Sequence, residues 1–148
     1  MTLSTEIGDL LVAAEDAGIV CVAWVGVRET KNLPTAPPTP LLAEAARQLS
    51  AYAAGALHRF DLPVAPAGSP HRQAVWQQMQ RIPYGETRTY GALADAIGSS
   101  PRAVGQACGA NPVPILVPCH RVMGRSGKLT GFSGGSGVET KAMLLALE

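Results

Sequence analysis

The sequence predicts a mixed α/β (α+β) chain of two lobes, a small sheet-plus-helix lobe followed by a helical one. Three observations carry that expectation. Short runs rich in Val, Ile and Leu fill the first 27 residues. Proline clusters then break the chain at 30–40 and again at 61–70. From residue 69 onward the apolar spacing is helical, in short capped stretches.

Taken in order, "LLVAAED" and "IVCVAWVGV" read as strands, and "AEDAG" between them suits a hairpin turn. "TKNLPTAPPTP" holds four prolines in eleven residues and is read as a loop. "PLLAEAARQLSAYAAGAL" places Leu42, Ala45, Ala46, Leu49 and Tyr52 on one helical face and should stop near Gly55. The break "DLPVAPAGSP" sets the lobe boundary, giving lobes 1–66 and 67–148. In "SPHRQAVWQQMQRI", Ser69 is the expected N-cap and Pro70 the first helical residue, with Val75, Trp76 and Met79 buried. After the turn "PYGE", the stretches "TYGALADAIG" and "SPRAVGQACGAN" have helix-turn-helix spacing about Gly98. Ser100 and Pro101 open the second of these helices and leave Arg102 exposed in its first turn.

That second helix is built of small residues: Ala103, Gly105, Ala107, Gly109 and Ala110. Each interior glycine costs about 1 kcal/mol relative to alanine, so the thin surface must serve something. One explanation is tight packing within the core. The other is close approach to a phosphate backbone or a narrow groove, where bulk would clash.

Charge divides the chain. Residues 1–66 carry four basic and seven acidic side chains, a balance of −3, whereas residues 67–148 carry eight and four, a balance of +4. A basic half fits contact with a polyanion. No apolar run reaches the roughly 20 residues that span a bilayer, and "MTLSTEIGDL" has no signal-peptide pattern. The expected compartment is the cytoplasm, with no membrane partner. Three cysteines, Cys21, Cys108 and Cys119, are an odd number and are read as free thiols. With no C-x-x-C or H-x-x-x-H pair, neither a metal site nor a cofactor is expected.

The chemistry concentrates at "NPVPILVPCHRV", where Cys119, His120 and Arg121 follow a proline-punctuated apolar run. A thiol becomes a good nucleophile when a neighbouring base or cation favours the thiolate. A Cys-His dipeptide alone also fits a buried inert cysteine. The longer string decides between them: "PCHRV", preceded by "NPVPILV" and followed by "GKLTGFSGG", resembles the active-site segment of the O6-alkylguanine-DNA alkyltransferases, the methylated-DNA–protein-cysteine methyltransferases. The likeness runs from "VWQQMQRIPYGETRTYGALADAIG" through "SPRAVGQACGANP" to "ETKAMLLALE".

This resemblance implies a ribonuclease H-like N-terminal lobe and a C-terminal lobe whose helix-turn-helix enters the minor groove of double-stranded DNA. It implies a monomer that flips O6-alkylguanine out of the stack and takes the alkyl group onto its own cysteine, once, with O4-alkylthymine as a second candidate lesion. Position by position it makes Cys119 the alkyl acceptor, His120 the base that reaches it through water, Glu148 the carboxylate that orients His120, and Asn111 the brace of the cysteine turn. Tyr90 becomes the residue that turns the target phosphate and hydrogen-bonds the leaving base. Pro114, Val122 and Ser133 become pocket residues. Arg102 becomes the finger that fills the vacated stack, with Ala103, Gly105, Gln106, Gly109 and Arg121 as further DNA contacts. The zinc ligands of some relatives are absent from the N-terminal lobe, and Phe132 stands where tyrosine is common. Three other functions compete: a non-catalytic damage binder, a transcriptional regulator and a Cys-His hydrolase.

Overall fold

Strands Thr2–Thr5 (β1), Gly8–Glu15 (β2) and Gly18–Trp24 (β3) form an antiparallel sheet in chain order. The computed structural model describes residues 1–30, 37–129, 132 and 134–148. β1 was not expected. It is a short, half-exposed edge whose residues Thr2 to Thr5 pair with Leu11 to Gly8, so its strand character comes from its neighbour. β3 is shorter than its apolar run, because the Gly26 N–H donates to Glu29 Oε2 at 2.7 Å and a single turn, Val27–Thr30 (α1), follows. Of the expected loop at 30–40, residues 31–36 lie outside those described.

The second helix, Pro40–Ala53 (α2), starts where the cap chemistry directs, with Thr39 Oγ1 accepting from the Leu42 N–H. Its buried face is Ala45, Gln48, Leu49, Tyr52 and Ala53. Gln48 is satisfied by the backbone of Asp61 on both sides, donating to its carbonyl and accepting from its N–H. The segment after α2 then runs beside β3: Ile19 N–H donates to Pro63 O and Ala65 N–H to Ile19 O, each at 2.8 Å. Gly18 permits this approach, since with φ at 147° a Cβ there would lie 2.5 Å from the Pro63 carbonyl oxygen.

The remaining elements are Pro70–Gln80 (α3), Arg88–Thr89 (β4), Tyr90–Ile97 (α4), Pro101–Gly109 (α5), a 3-10 turn at Cys119–Arg121, Val122–Met123 (β5) and Val138–Leu147 (α6). A further 3-10 turn occupies Arg125–Gly127. Ser69, Thr89 and Ser100 each cap the helix that follows, and Gly98 closes α4 at φ 66°. Val75, Trp76 and Met79 are buried as expected, and the Trp76 indole donates to Ala107 O at 2.9 Å, tying α3 to α5. The parallel pair β4–β5, with Arg88 opposite Val122, has no sequence signal of its own.

The structure separates the small residues of α5 into two sets. Its core face is Val104, Ala107 and Cys108. Among the described residues, a Cβ added at Gly105 or Gly109 would meet nothing within 4 Å. Among the described residues these glycines therefore serve no packing contact, and they lie on the outward side of α5 beside exposed Arg102 and Gln106.

Candidate active site

Two hydrogen bonds and a tight turn deliver Cys119. Asn111 Nδ2 donates to Val117 O at 2.8 Å, and its Oδ1 accepts from the Val113 N–H at 2.9 Å, closing the loop between them. From the other lobe, the Val22 N–H of β3 donates to Pro112 O at 2.9 Å. Within the loop, buried Ile115 sits at φ 74°, a conformation that a β-branched residue holds only where its surroundings impose it. Pro118, at φ −82° and ψ 69°, makes an inverse γ-turn in which the Cys119 N–H donates to Val117 O at 2.8 Å. Cys119 then starts the 3-10 turn.

Cys119 borders a cavity of about 350 Å³ that is also lined by Asn111, Pro114, Cys108, Cys21, Trp24 and Phe132. Burial pushes the Cys119 thiol up, while the Asn111 side chain and the ammonium of Lys141 pull it down. The balance leaves a protonated thiol at rest.

His120 follows Cys119 directly in the chain. Its ring is fully buried, and Nε2 lies 2.5 Å from Glu148 Oε2. Burial holds the imidazole below its ordinary value despite the adjacent carboxylate, so the ring is neutral. A neutral ring facing a carboxylate carries its proton on Nε2, which leaves Nδ1 as the acceptor. That Nδ1 is buried and makes no hydrogen bond among the described residues. Burial works to raise Glu148, but hydrogen bonds from His120, Arg121 and Tyr52 hold its carboxyl down at about 2.

Arg121 calls for a correction. It was expected on DNA, but it is buried, and its guanidinium grips Glu148 with Nε at 2.8 Å and Nη2 at 3.2 Å while Nη1 donates to Ile82 O at 2.7 Å. With three of its five N–H groups committed to a buried carboxylate and a buried carbonyl and its side chain only 9% exposed, it presents little surface to a phosphate.

The other expected residues fall in three places. Asn111 and Pro114 border the cavity with Cys119. Val122 is buried and does not line that cavity, and its carbonyl accepts from Lys141 Nζ. The Tyr90 ring is half-buried, 5.9 Å from the same ammonium. Arg102, Ala103, Gly105, Gln106 and Gly109 form the outward side of α5. Ser133 lies outside the described residues. Sequence reasoning missed Lys141, Tyr52 and the β3 wall. In sequence Tyr52 is one more residue of an apolar helical face, and Lys141 stands in "ETK" with no local mark of burial.

Comparison with known proteins settles the lineage. Residues 70–148 match the 6-O-methylguanine DNA methyltransferase DNA binding domain, and residues 1–66 match the ribonuclease-like domain of the same proteins. The chain belongs to the 6-O-methylguanine DNA methyltransferase family. Among its relatives is the constitutive methylated-DNA–protein-cysteine methyltransferase of Bacillus subtilis, 46% identical, with the match covering 99% of this chain and 93% of that protein. The Methanosarcina acetivorans methylated-DNA–protein-cysteine methyltransferase is 44% identical over 97% and 94% of the two chains. The O6-methylguanine methyltransferase of Mycobacterium tuberculosis superposes with a TM-score of 0.83 at 41% identity, covering 99% of this chain and 89% of the other. The same M. tuberculosis protein in complex with DNA gives a TM-score of 0.85 with the same identity and coverage. Family membership brings with it the ribonuclease-like character of the N-terminal sheet and helix. Among the described residues no helix is long and apolar enough to cross a membrane, and no three His, Cys, Asp or Glu side chains gather to hold a metal ion.

Proposed function

We propose that this protein repairs O6-alkylguanine in double-stranded DNA by moving the alkyl group irreversibly onto Cys119, with lobes 1–66 and 67–148 acting as one monomer. The observation that carries the reading is a cavity-lining thiol followed directly by a neutral, buried histidine whose Nδ1 lone pair is unclaimed among the described residues. In the reaction, the thiol proton passes through water to His120 Nδ1 and Sγ attacks the alkyl carbon. The S–C bond forms as the C–O6 bond breaks, and guanine leaves with its developing charge met by hydrogen bonds, Tyr90 among the donors. Glu148 steadies the imidazolium. The product is a thioether with no carbonyl for water to attack, so each molecule reacts once.

The outward side of α5 would enter the minor groove, and Arg102 would fill the stack left by the flipped base. Pro114, Val122 and Ser133 would surround that base. A free acceptor thiol suits a reducing compartment, the cytoplasm. The damage-binder reading needs no nucleophile, and the hydrolase reading needs an oxyanion site. The test is intact mass after incubation with excess duplex DNA bearing O6-methylguanine. A gain of one methyl, mapped to Cys119 and absent in Cys119→Ala, is expected. Repeated turnover, or a methyl on Cys108 or Cys21, would overturn it.

A further inference from the structure

The charged cluster behind Cys119 contains a group from the far lobe. Tyr52 lies on α2, 96 positions from Glu148 in sequence, yet its hydroxyl donates to Glu148 Oε2 at 2.6 Å. It also stands 3.5 Å from His120 Nε2. The side chain is fully buried, with its ring packed against Phe60 at 5.3 Å and Tyr84 at 6.2 Å between centroids. A phenol so buried beside a carboxylate stays protonated, because burial first and Glu148 second push it upward. It therefore has one proton to give. Since His120 Nε2–H must also donate to Glu148, the tyrosine proton goes to the carboxylate and not to the ring.

We infer that Tyr52 is a positioning residue for alkyl transfer: its hydroxyl holds the Glu148 carboxylate against His120 and takes up part of that carboxylate's capacity to accept hydrogen bonds. The inference rests on the reading of Cys119 as acceptor and His120 as base. Oε2 accepts from three donors, Tyr52, His120 and Arg121. Removing one leaves a stronger acceptor for the other two. The groups facing His120 are Tyr52 from α2, Glu148 at the end of α6, Lys141 from α6 and Arg121 beside it. Those facing the Tyr52 hydroxyl are Glu148, Arg121 and Tyr84. Of these, only Tyr52 is a neutral donor on the His120 side of the carboxylate, so it restrains the carboxylate without adding a charge.

The sign follows. In Tyr52→Phe, Glu148 Oε2 turns its freed capacity to His120 Nε2–H and favours the imidazolium. At any given acidic pH a smaller fraction of His120 is then neutral and able to take the thiol proton. The acid limb of the single-turnover rate against pH should move to higher pH by about half a unit to one unit, the effect of losing one of several hydrogen bonds to a charged group. The variant's deficit should vanish at high pH. A structural role alone would lower the melting temperature and scale the rate equally at every pH.

The experiment compares the intact chain and Tyr52→Phe, using duplex DNA with O6-methylguanine and reading methyl on Cys119 by mass at each pH. Wild-type transfer with an unmoved limb in the variant overturns the Tyr52 role alone. No transfer by wild type overturns the functional reading instead. A second measurement needs no variant: the Tyr52 hydroxyl proton of the unmodified protein should give a resolved downfield resonance with a cross-peak to the His120 ring. Its absence would also overturn the role.

Discussion

Glu148 Oε2 lies 2.5 Å from His120 Nε2, with 2% and 0% of the two side chains exposed. The same carboxylate receives Arg121 through Nε and Nη2, Tyr52 through its hydroxyl and, at 3.3 Å, the Gly85 N–H. One anion thus neutralises a buried guanidinium and sets the tautomer of the His120 ring. Without it, two elements of the site would lose their reason to stay in place.

Replacing that anion tests both duties. Glu148→Gln leaves Arg121 as a buried charge without its counter-ion, and the loss of stability should be about 3 kcal/mol or more. Alkyl transfer should slow by about tenfold or more, part of the hundredfold or greater that a positioned base supplies. Denaturant unfolding and single-turnover transfer, measured on the same sample, check the pair. Loss of stability with an unchanged transfer rate would separate Glu148 from His120.

Acid should destabilise the protein in two stages. His120 binds its proton less readily in the folded chain than in the unfolded one, so stability declines as pH falls below about 6.5, the ordinary histidine value. Glu148, held at about 2 against an ordinary 4.5, adds a second decline from about 4.5 downward as the unfolded chain takes up its proton first. Melting temperature followed from pH 8 to pH 3 should therefore drop on both intervals, and Glu148→Gln should lose the lower one. A flat curve between pH 7 and pH 4 would contradict the arrangement.

Arg102, exposed in the first turn of α5, should matter for extruding the base and not for the chemistry. Arg102→Ala should repair duplex DNA about a hundredfold more slowly, since unstacking a base costs a few kcal/mol. Its reaction with free O6-benzylguanine should be nearly unchanged. Equal loss on both substrates would remove the finger role.

Gly105 and Gly109 permit a test that separates folding from binding. Because a Cβ at either meets nothing within 4 Å among the described residues, Gly105→Ala should raise stability by about 1 kcal/mol through helix propensity. Gly105→Leu should fold as well as wild type yet bind duplex DNA more weakly by about tenfold or more, as expected where a groove wall meets the helix. Thermal melting and binding in one salt condition check it. Undiminished binding by the leucine variant would turn α5 away from the groove.

How far the sequence could be read follows the range of the interactions involved. Ser69, Ser100 and Gly98 act on neighbours three or four residues away, so their caps and the helices they bound were legible from spacing alone. The cysteine, its histidine and the Asn111 brace lie within ten residues of one another, and a collinear motif carries them. Tyr52, Arg121 and Lys141 were not legible. Each looks ordinary in its local context: an apolar-face tyrosine, an arginine after a histidine, a lysine in a polar helix start. Their roles depend on partners 96, 27 and 19 positions away, brought together when α2, the cysteine turn and α6 bury one carboxylate and the Val122 carbonyl. The direction of the α5 glycines was likewise open until packing chose its core face, because a helix of small residues has no heavy stripe to declare which side turns inward. Burial, which makes an unpaired charge or carbonyl costly, is a property of the assembled lobes, and no local pattern in the chain carries it.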